Sequence, residues 1–494
     1  LKDNLDNLDI AITEIADLIP PTIETATLNL TDGVMVVSTS EIIDTTPFSR
    51  VNLSKIILSN LTESDPTGDI ALTESTVTAD DNFQLVLKLS ELERVRAIQI
   101  SNTDGGDNGT AFISIIQGAV YDIGRNDNVE KLYLSLIELE DSLKPTIVSV
   151  SLNYSTGIIV ISATETIDST PRTLIDTTKI LLYNANVGDA LTILNENVVA
   201  DDKLQVTMTL TEDQRALGIK RSGTPGGDNG ALLVKLNANA MQDIGQNGII
   251  ESDLTLIEYD DIIHPIPLVA VVNFTFGTVT LNFSETILAE QTSQYNFNNV
   301  YFSDIFGQKN VSLSDSTAKT SFLTTVKFTM SERTRVTGIE HSATPGGDGL
   351  KVVMDIYANA FQDVATNFNR DTFGIEVVEF PDILNPHILS GKIFLGNGHI
   401  TLLASEILDL TPLSKLKLSQ MFLANVTGDE RIPLATVFET ISDDHAYINI
   451  TLLETQRVQA VLIANQRGGD NEPIVLDMGS NTFVDIAQNG NHKP

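Results

Sequence analysis

Thr278-Val279-Thr280-Leu281-Asn282-Phe283 sets an apolar residue at every second position. In an extended chain successive side chains point to opposite faces, so this run buries Val279, Leu281 and Phe283 and leaves the polar residues outside. The same parity returns at Ile159, Ile161 and Ala163, and again at Ile400, Leu402 and Ala404. Short alternating runs rich in Val, Ile and Thr, bounded by Gly, Asn and Asp, predict half-buried antiparallel strands.

Working outward from this strand, the whole chain repeats. Gly-Gly-Asp occurs at Gly105–Asp107, Gly226–Asp228, Gly346–Asp348 and Gly468–Asp470, at spacings of 121, 120 and 122. Each copy also has a glutamate after Ser or Thr (Glu41, Glu165, Glu285, Glu406) and a late Asp-aliphatic pair (Asp122, Asp243, Asp363, Asp485). An opening proline stands at Pro21, Pro145, Pro265 or Pro386. A period of this length is a whole domain rather than a solenoid unit. The reading is all-β: four tandem immunoglobulin-like β-sandwich modules in an elongated array, preceded by a donor-type strand. The expected boundaries are 1–18 for that strand and 19–141, 142–261, 262–382 and 383–494 for the modules. One short helical segment per module is expected, at Glu91–Ala97, Glu212–Leu217, Glu332–Val336 and Glu454–Val458.

Strings such as Leu281-Asn282-Phe283-Ser284-Glu285-Thr286-Ile287 and Met241-Gln242-Asp243-Ile244-Gly245-Gln246-Asn247 resemble the bacterial-type Ig-like domains of S-layer and large surface proteins. The first copy has Thr39 in place of the phenylalanine, and the third has Ala365-Thr366-Asn367 in place of the glycine turn. The resemblance implies spacers or surface-assembly units rather than catalysts.

Composition narrows the function further. The chain has 494 residues, 42% of them apolar, with no Cys, no Trp and six His. Thiolate chemistry and disulfides are therefore excluded. Thirty basic against 66 acidic residues give a formal charge of −36, which repels nucleic-acid phosphates and anionic headgroups. No apolar run approaches the ~20 residues a membrane span needs. The histidines are scattered between copies, and no nucleophile-elbow, zincin or P-loop pattern occurs, so no enzyme and no small-molecule substrate is expected. The start at Leu1 reads as a processed product or as the ordered part of something longer.

The repeat register is offset at the termini. After each late Asp turn comes one more strand: Leu134–Glu138, Leu254–Glu258 and Ile375–Glu379. The same pattern stands before the first module, in Leu8-Asp9-Ile10-Ala11-Ile12-Thr13-Glu14-Ile15, while module four is expected to lack it. A sandwich short of one strand exposes an apolar groove and unpaired backbone, which an extended segment fills by strand addition. Leu8, Ile10, Ile12 and Ile15 are the candidate polymerisation residues, each contributing about 1.5–3 kcal/mol if buried. The partner expected is another copy of the chain, joined head to tail in an extracellular filament. A repeat chain that continues past Pro494, as the stalk of an adhesin or S-layer protein, is the alternative.

Ten sequons offer N-glycan acceptors at Asn29, Asn52, Asn60, Asn108, Asn153, Asn273, Asn282, Asn310, Asn425 and Asn449, of which Asn29, Asn153 and Asn273 are equivalent and expected to face outward. Asp107, Asp228 and Asp470, with the pairs Asp80-Asp81, Asp201-Asp202 and Asp443-Asp444, are candidate Ca²⁺ ligands. Gly-Gly-Asp is more often just a tight turn. No other cofactor is expected.

Overall fold

The computed structural model describes residues 11–492 except 62, 64–67, 185–189, 194–196, 289–294, 305, 308–309, 319–323, 438 and 441–443. The chain divides into two compact units, Leu1–Asp260 and Asp261–Pro494, with two modules in each.

Module one shows the plan. Its strands are β1 (Ile23–Asn29), β2 (Val34–Ile43), β3 (Ile56–Ser59), β4 (Ile70–Ala71), β5 (Thr76–Val77) and β6 (Asn82–Lys88), then helix α1 (Glu91–Gln99). After the helix come β7 (Phe112–Ile115), β8 (Lys131–Ser135) and β9 (Ile137–Leu139). One sheet runs β5-β6-β2-β1-β9 and the other β4-β3-β7-β8. The fold is all-β, with the inward residues of both sheets, among them Leu28, Val37, Leu58, Leu87 and Ile113, forming one core.

The last strand belongs to both sheets. β8 pairs antiparallel with β7, the chain crosses at the buried Leu136, and β9 then pairs parallel with β1. Module two repeats this with Ser252–Thr255 and Ile257–Tyr259 on either side of buried Leu256. In module three the two halves are one unbroken strand, Thr372–Phe380, which joins the layers into an eight-stranded sheet.

Module four has a four-stranded and a three-stranded sheet. Its edge strands Ile388–Phe394 and Ile474–Met478 correspond to β1 and β7, and among the described residues no strand pairs with their open sides. The cost is visible in the core. Leu28, Leu30, Ile113 and Ile115 are buried, whereas their equivalents Ile393, Leu395, Leu476 and Met478 are only partly covered.

The helices α1, α2 (Glu212–Lys220), α3 (Glu332–Glu340) and α4 (Glu454–Leu462) each run nine residues, longer than the sequence pattern implied. Ser90, Thr211 and Ser331 cap the first three by accepting the N–H three residues on. Val95 and Ile98, three residues apart, hold α1 on the core.

Candidate functional site

The repeated glutamate and the repeated late aspartate, far apart in the chain, meet at one end of each module. A third carboxylate from the segment just before the module joins them. The sets are Asp17, Glu41 and Asp122; Asp141, Glu165 and Asp243; Asp261, Glu285 and Asp363; Asp382, Glu406 and Asp485. In each set one oxygen per residue lies within 4.8 Å of the others.

Local hydrogen bonds hold the three groups in place. The late aspartate closes its turn by accepting the N–H four residues on, as Asp243 does from Asn247 at 2.8 Å. That asparagine then donates Nδ2 to the backbone oxygen of the linker aspartate: Asn247 to Asp141, Asn367 to Asp261 and Asn489 to Asp382. Each linker aspartate folds its own Asx turn, accepting from Leu143, Ile263 or Leu384. Asp17 does the same with Ile19, and Asn126 donates to its carbonyl. Residue 17 therefore sits where a module's incoming linker aspartate sits, which fits the offset register read from the sequence.

Within each unit the cluster faces an arginine of the preceding module. Arg94 of α1 donates Nη1 to Asp141 at 2.8 Å and to the carbonyl of Leu30, and Nη2 to Glu165 at 3.2 Å. Its Nε and Nη2 also form a fork with Glu91, whose Oε1 accepts the N–H of Thr166. Arg335 of α3 repeats the pattern with Asp382, Glu406 at 2.9 Å and Glu332, and Glu332 accepts the N–H of Ile407. Burial alone would lower the pKa of Arg94 and of Arg335, but Glu91 and Glu332 with the linker aspartates raise both above the ordinary value.

The carboxylates respond in the opposite sense. Burial pushes Glu165 up to about 7 against the pull of Arg94, and Asp243 up to about 6. Glu406 rises to about 7 and Asp363 and Asp485 to about 6, again chiefly by burial. Glu165 Oε1 and Asp243 Oδ2 are buried without a hydrogen-bond partner among the described residues, in residues 5% and 1% exposed. A buried carboxylate oxygen in that state calls for a proton or a cation. Three converging carboxylates are ligands of the class a hard divalent ion takes.

The Gly-Gly-Asp aspartates lie elsewhere. Asp107, Asp228 and Asp470 accept the N–H two residues on, from Gly109, Gly230 and Glu472. They also accept Nδ2 of Asn60, Asn184 and Asn425. Their carboxylates tie the loop to the neighbouring strand. Asp81, Asp202 and Asp444 accept the N–H groups of Thr45, Ser169 and Leu410. Asp443 lies outside the described residues.

The asparagines of the sequons differ in setting. Asn29, Asn153 and Asn273 are half-buried at hairpin ends and accept the N–H of Thr31, Ser155 and Phe276. Asn52, Asn108 and Asn310 are exposed; Asn282 and Asn449 are half-buried on strands; Asn60 is half-buried and Asn425 buried, both tied to the Gly-Gly-Asp loop.

Of the polymerisation residues, Leu8 and Ile10 lie outside the described residues, and Ile12 and Ile15 are exposed. The complete modules show which of these places face a core. Positions matching Ile12 are the buried Leu136, Leu256 and Val377; those matching Ile10 are Leu134, Leu254 and Ile375, half-buried or buried. Those matching Ile15 are Leu139, Tyr259 and Phe380, which stay exposed. The glutamate two places after the buried residue receives backbone donors. Glu138 accepts from Asn102 and Ala111, and Glu379 from Ala343 and Val352. In module four the corresponding region is an open groove of about 360 Å³ along Ile388, Ile393, Leu402, Ile474, Leu476 and Met478. It continues into a second hollow beside Leu395, Asn465 and Pro473.

No family model and no curated protein matches the chain. Among solved structures, domains FN1–FN3 of chicken CNTN1 align at 8% identity, covering 69% of this chain and 92% of that one, with a TM-score of 0.18. Domains 1–6 of the surface layer protein SbsC align at 8% identity, 88% and 63% coverage, and a TM-score of 0.17. Domains 3–5 of Drosophila OTK align at 10% identity, 64% and 90% coverage, and 0.19. Likenesses of this size carry no functional weight, and the sandwich assignment rests on the strand pairing itself. Among the described residues no helix is long and apolar enough to cross a membrane.

Proposed function

We propose that this chain is a non-catalytic structural subunit of an extracellular assembly, extended head to tail by strand addition into its fourth module. The observation that carries the reading is the groove between Ile388–Phe394 and Ile474–Met478, where three other modules have a last strand. The occupant is the segment Leu8–Ile15 of another copy. Its Ile10 and Ile12 take the inward places, contributing about 1.5–3 kcal/mol each, and ladder hydrogen bonds add to this. Glu14 then receives the N–H groups beside Asn465. Because such contacts do not close on themselves, the product is a filament. N-glycans at Asn29, Asn153 and Asn273 would shield strand faces, and Ca²⁺ would bind the junction carboxylates where Glu165 and Asp243 present open oxygens.

A second reading is favoured by modules one to three, each completed by the chain that follows it. On that reading the chain is the stalk of a surface adhesin or S-layer protein, and further chain supplies the strand to module four. Light scattering with electron microscopy of the 494-residue protein separates the two. Fibres that vanish on deletion of residues 1–17 support the filament. A monodisperse monomer, with residues 1–17 open to protease, overturns it in favour of the stalk.

A further inference from the structure

We infer that a second copy of this chain is recognised not only by the groove but by an ionic clasp, in which Glu454 and Arg457 of one copy grip Asp17, Glu41 and the Ile42 N–H of the next. This rests on the head-to-tail reading and extends it to the module ends.

The two ends of the chain carry complementary halves of a contact that is whole elsewhere. On α4, Arg457 reproduces the internal bonds of Arg94 and Arg335. It donates Nη1 to Leu395 O at 2.9 Å and forks with Glu454 through Nε and Nη2. Arg94 and Arg335 then reach a linker aspartate and a glutamate of the following module. Among the described residues Arg457 bonds only within its own module, and its side chain is 25% exposed against 6% and 7% for the other two. Glu454 is open where Glu91 and Glu332 accept the N–H of Thr166 and Ile407.

The first module holds the other half. Asp17 and Glu41 match Asp141 and Glu165 in sequence, and Asp17 folds the same Asx turn as Asp141, yet Asp17 is exposed and Glu41 half-exposed, and their neighbour Asp122 is acidic as well. Among the described residues no cation pairs with these three carboxylates, and the Glu41 carboxyl is raised, by burial first and then by the neighbouring Asp122 and Asp17. An arriving guanidinium relieves this.

An apolar contact beside the ions points the same way. Ile244 and Ile486 join the cores of the modules preceding theirs, and their carbonyls press on Gly105 and Gly346, where a Cβ would lie 1.8 and 1.9 Å from the oxygen. The matching Ile123 is 57% exposed, and the matching Gly468 meets nothing nearer than Val461 at 4.0 Å. Each end thus presents what the other lacks, in the order found inside the chain.

The test is the critical concentration for assembly of the full chain, read by light scattering at about 0.1 M salt, where charge pairs are only partly screened. Arg457→Glu should raise it at least tenfold, and Ile123→Asp, in module one, should do the same. Combining Arg457→Glu with Glu41→Arg should recover most of the loss. Melting temperatures check that the single variants remain folded; Ile123 is on the surface and covers for any loss of module four in Arg457→Glu. If wild-type fibres form and require Ile12, but both variants assemble as wild type does, the clasp is wrong and strand addition stands. If the wild type stays monomeric, both fall.

Discussion

Replacing Glu165 by Gln should stabilise the first unit at pH 8 and leave it unchanged at pH 4.5. In the folded chain Glu165 titrates at about 7, against 4.5 for the ordinary group, because it is buried beside Asp141 and Asp243. The unfolded chain loses that proton near pH 4.5, so between pH 4.5 and 7 the unfolded state is favoured progressively. A shift of roughly 2.5 units at 1.36 kcal/mol per unit is about 3 kcal/mol of stability lost over that window, flat above it. Glutamine does not titrate. It keeps an acceptor for Arg94, whose bonds to Asp141 and Glu91 also persist. The difference between variant and wild type should grow from near zero at pH 4.5 to about 3 kcal/mol at pH 8, or about 6–12 °C in melting temperature for a unit of this size. Calorimetry across that range, in chelator, reads it directly. Millimolar Ca²⁺ should raise the wild-type transition at pH 8 and abolish the advantage of the variant, because the ion takes the place of the proton. A variant that tracks wild type at every pH in chelator would refute the reasoning.

Two further outcomes follow from the same geometry. Asp228→Ala should loosen its loop by about 1–3 kcal/mol, since Asn184 and the Gly230 N–H lose an acceptor, while the Ca²⁺-dependent rise in melting temperature stays as in wild type; loss of that rise would return the metal to the Gly-Gly-Asp loops. Leu256→Ala, removing the buried pivot of the sheet-crossing strand in module two, should cost about 2–5 kcal/mol in urea unfolding, whereas Ile12→Ala, at the matching but exposed place, should leave monomer stability untouched and weaken assembly alone.

Much of the fold was legible because period-two alternation survives in every copy and the landmarks recur in one order. The parity of Val279, Leu281 and Phe283 predicted their burial correctly. The last strand was visible as a pattern, but its crossing from one sheet to the other was not. Alternation marks a face, and it gives no sign that the face changes layers at Leu136. That crossing leaves the places equivalent to Ile15 in solvent. The helices run past their pattern through Ile98 and Ile339, which are buried on the core, while Arg94 and Arg335 are buried on them through ion pairs, which apolar periodicity does not register. The carboxylate clusters were spelled out as repeat landmarks without being recognised as one site. Glu165 and Asp243 are brought together only by strand pairing, at the bridge between Ile167 and Asp243.

Recurrence inside one chain separates structural from junctional residues. A residue repeated in all four copies and satisfied in all four, such as the Asp–Asn turn of Asp243 and Asn247, serves the module itself. A residue repeated in all four but satisfied only where a neighbouring module adjoins serves the joint. Arg457, Glu454, Gly468, Ile123 and Glu41 all fall in the second class. Within module four Arg457 is held in the conformation of Arg94 by the Leu395 carbonyl and by its fork with Glu454, an exposed pair of the kind that contributes little to stability. On the head-to-tail proposal, what lies against it is the Asp17, Glu41 and Ile123 of another copy of the same chain.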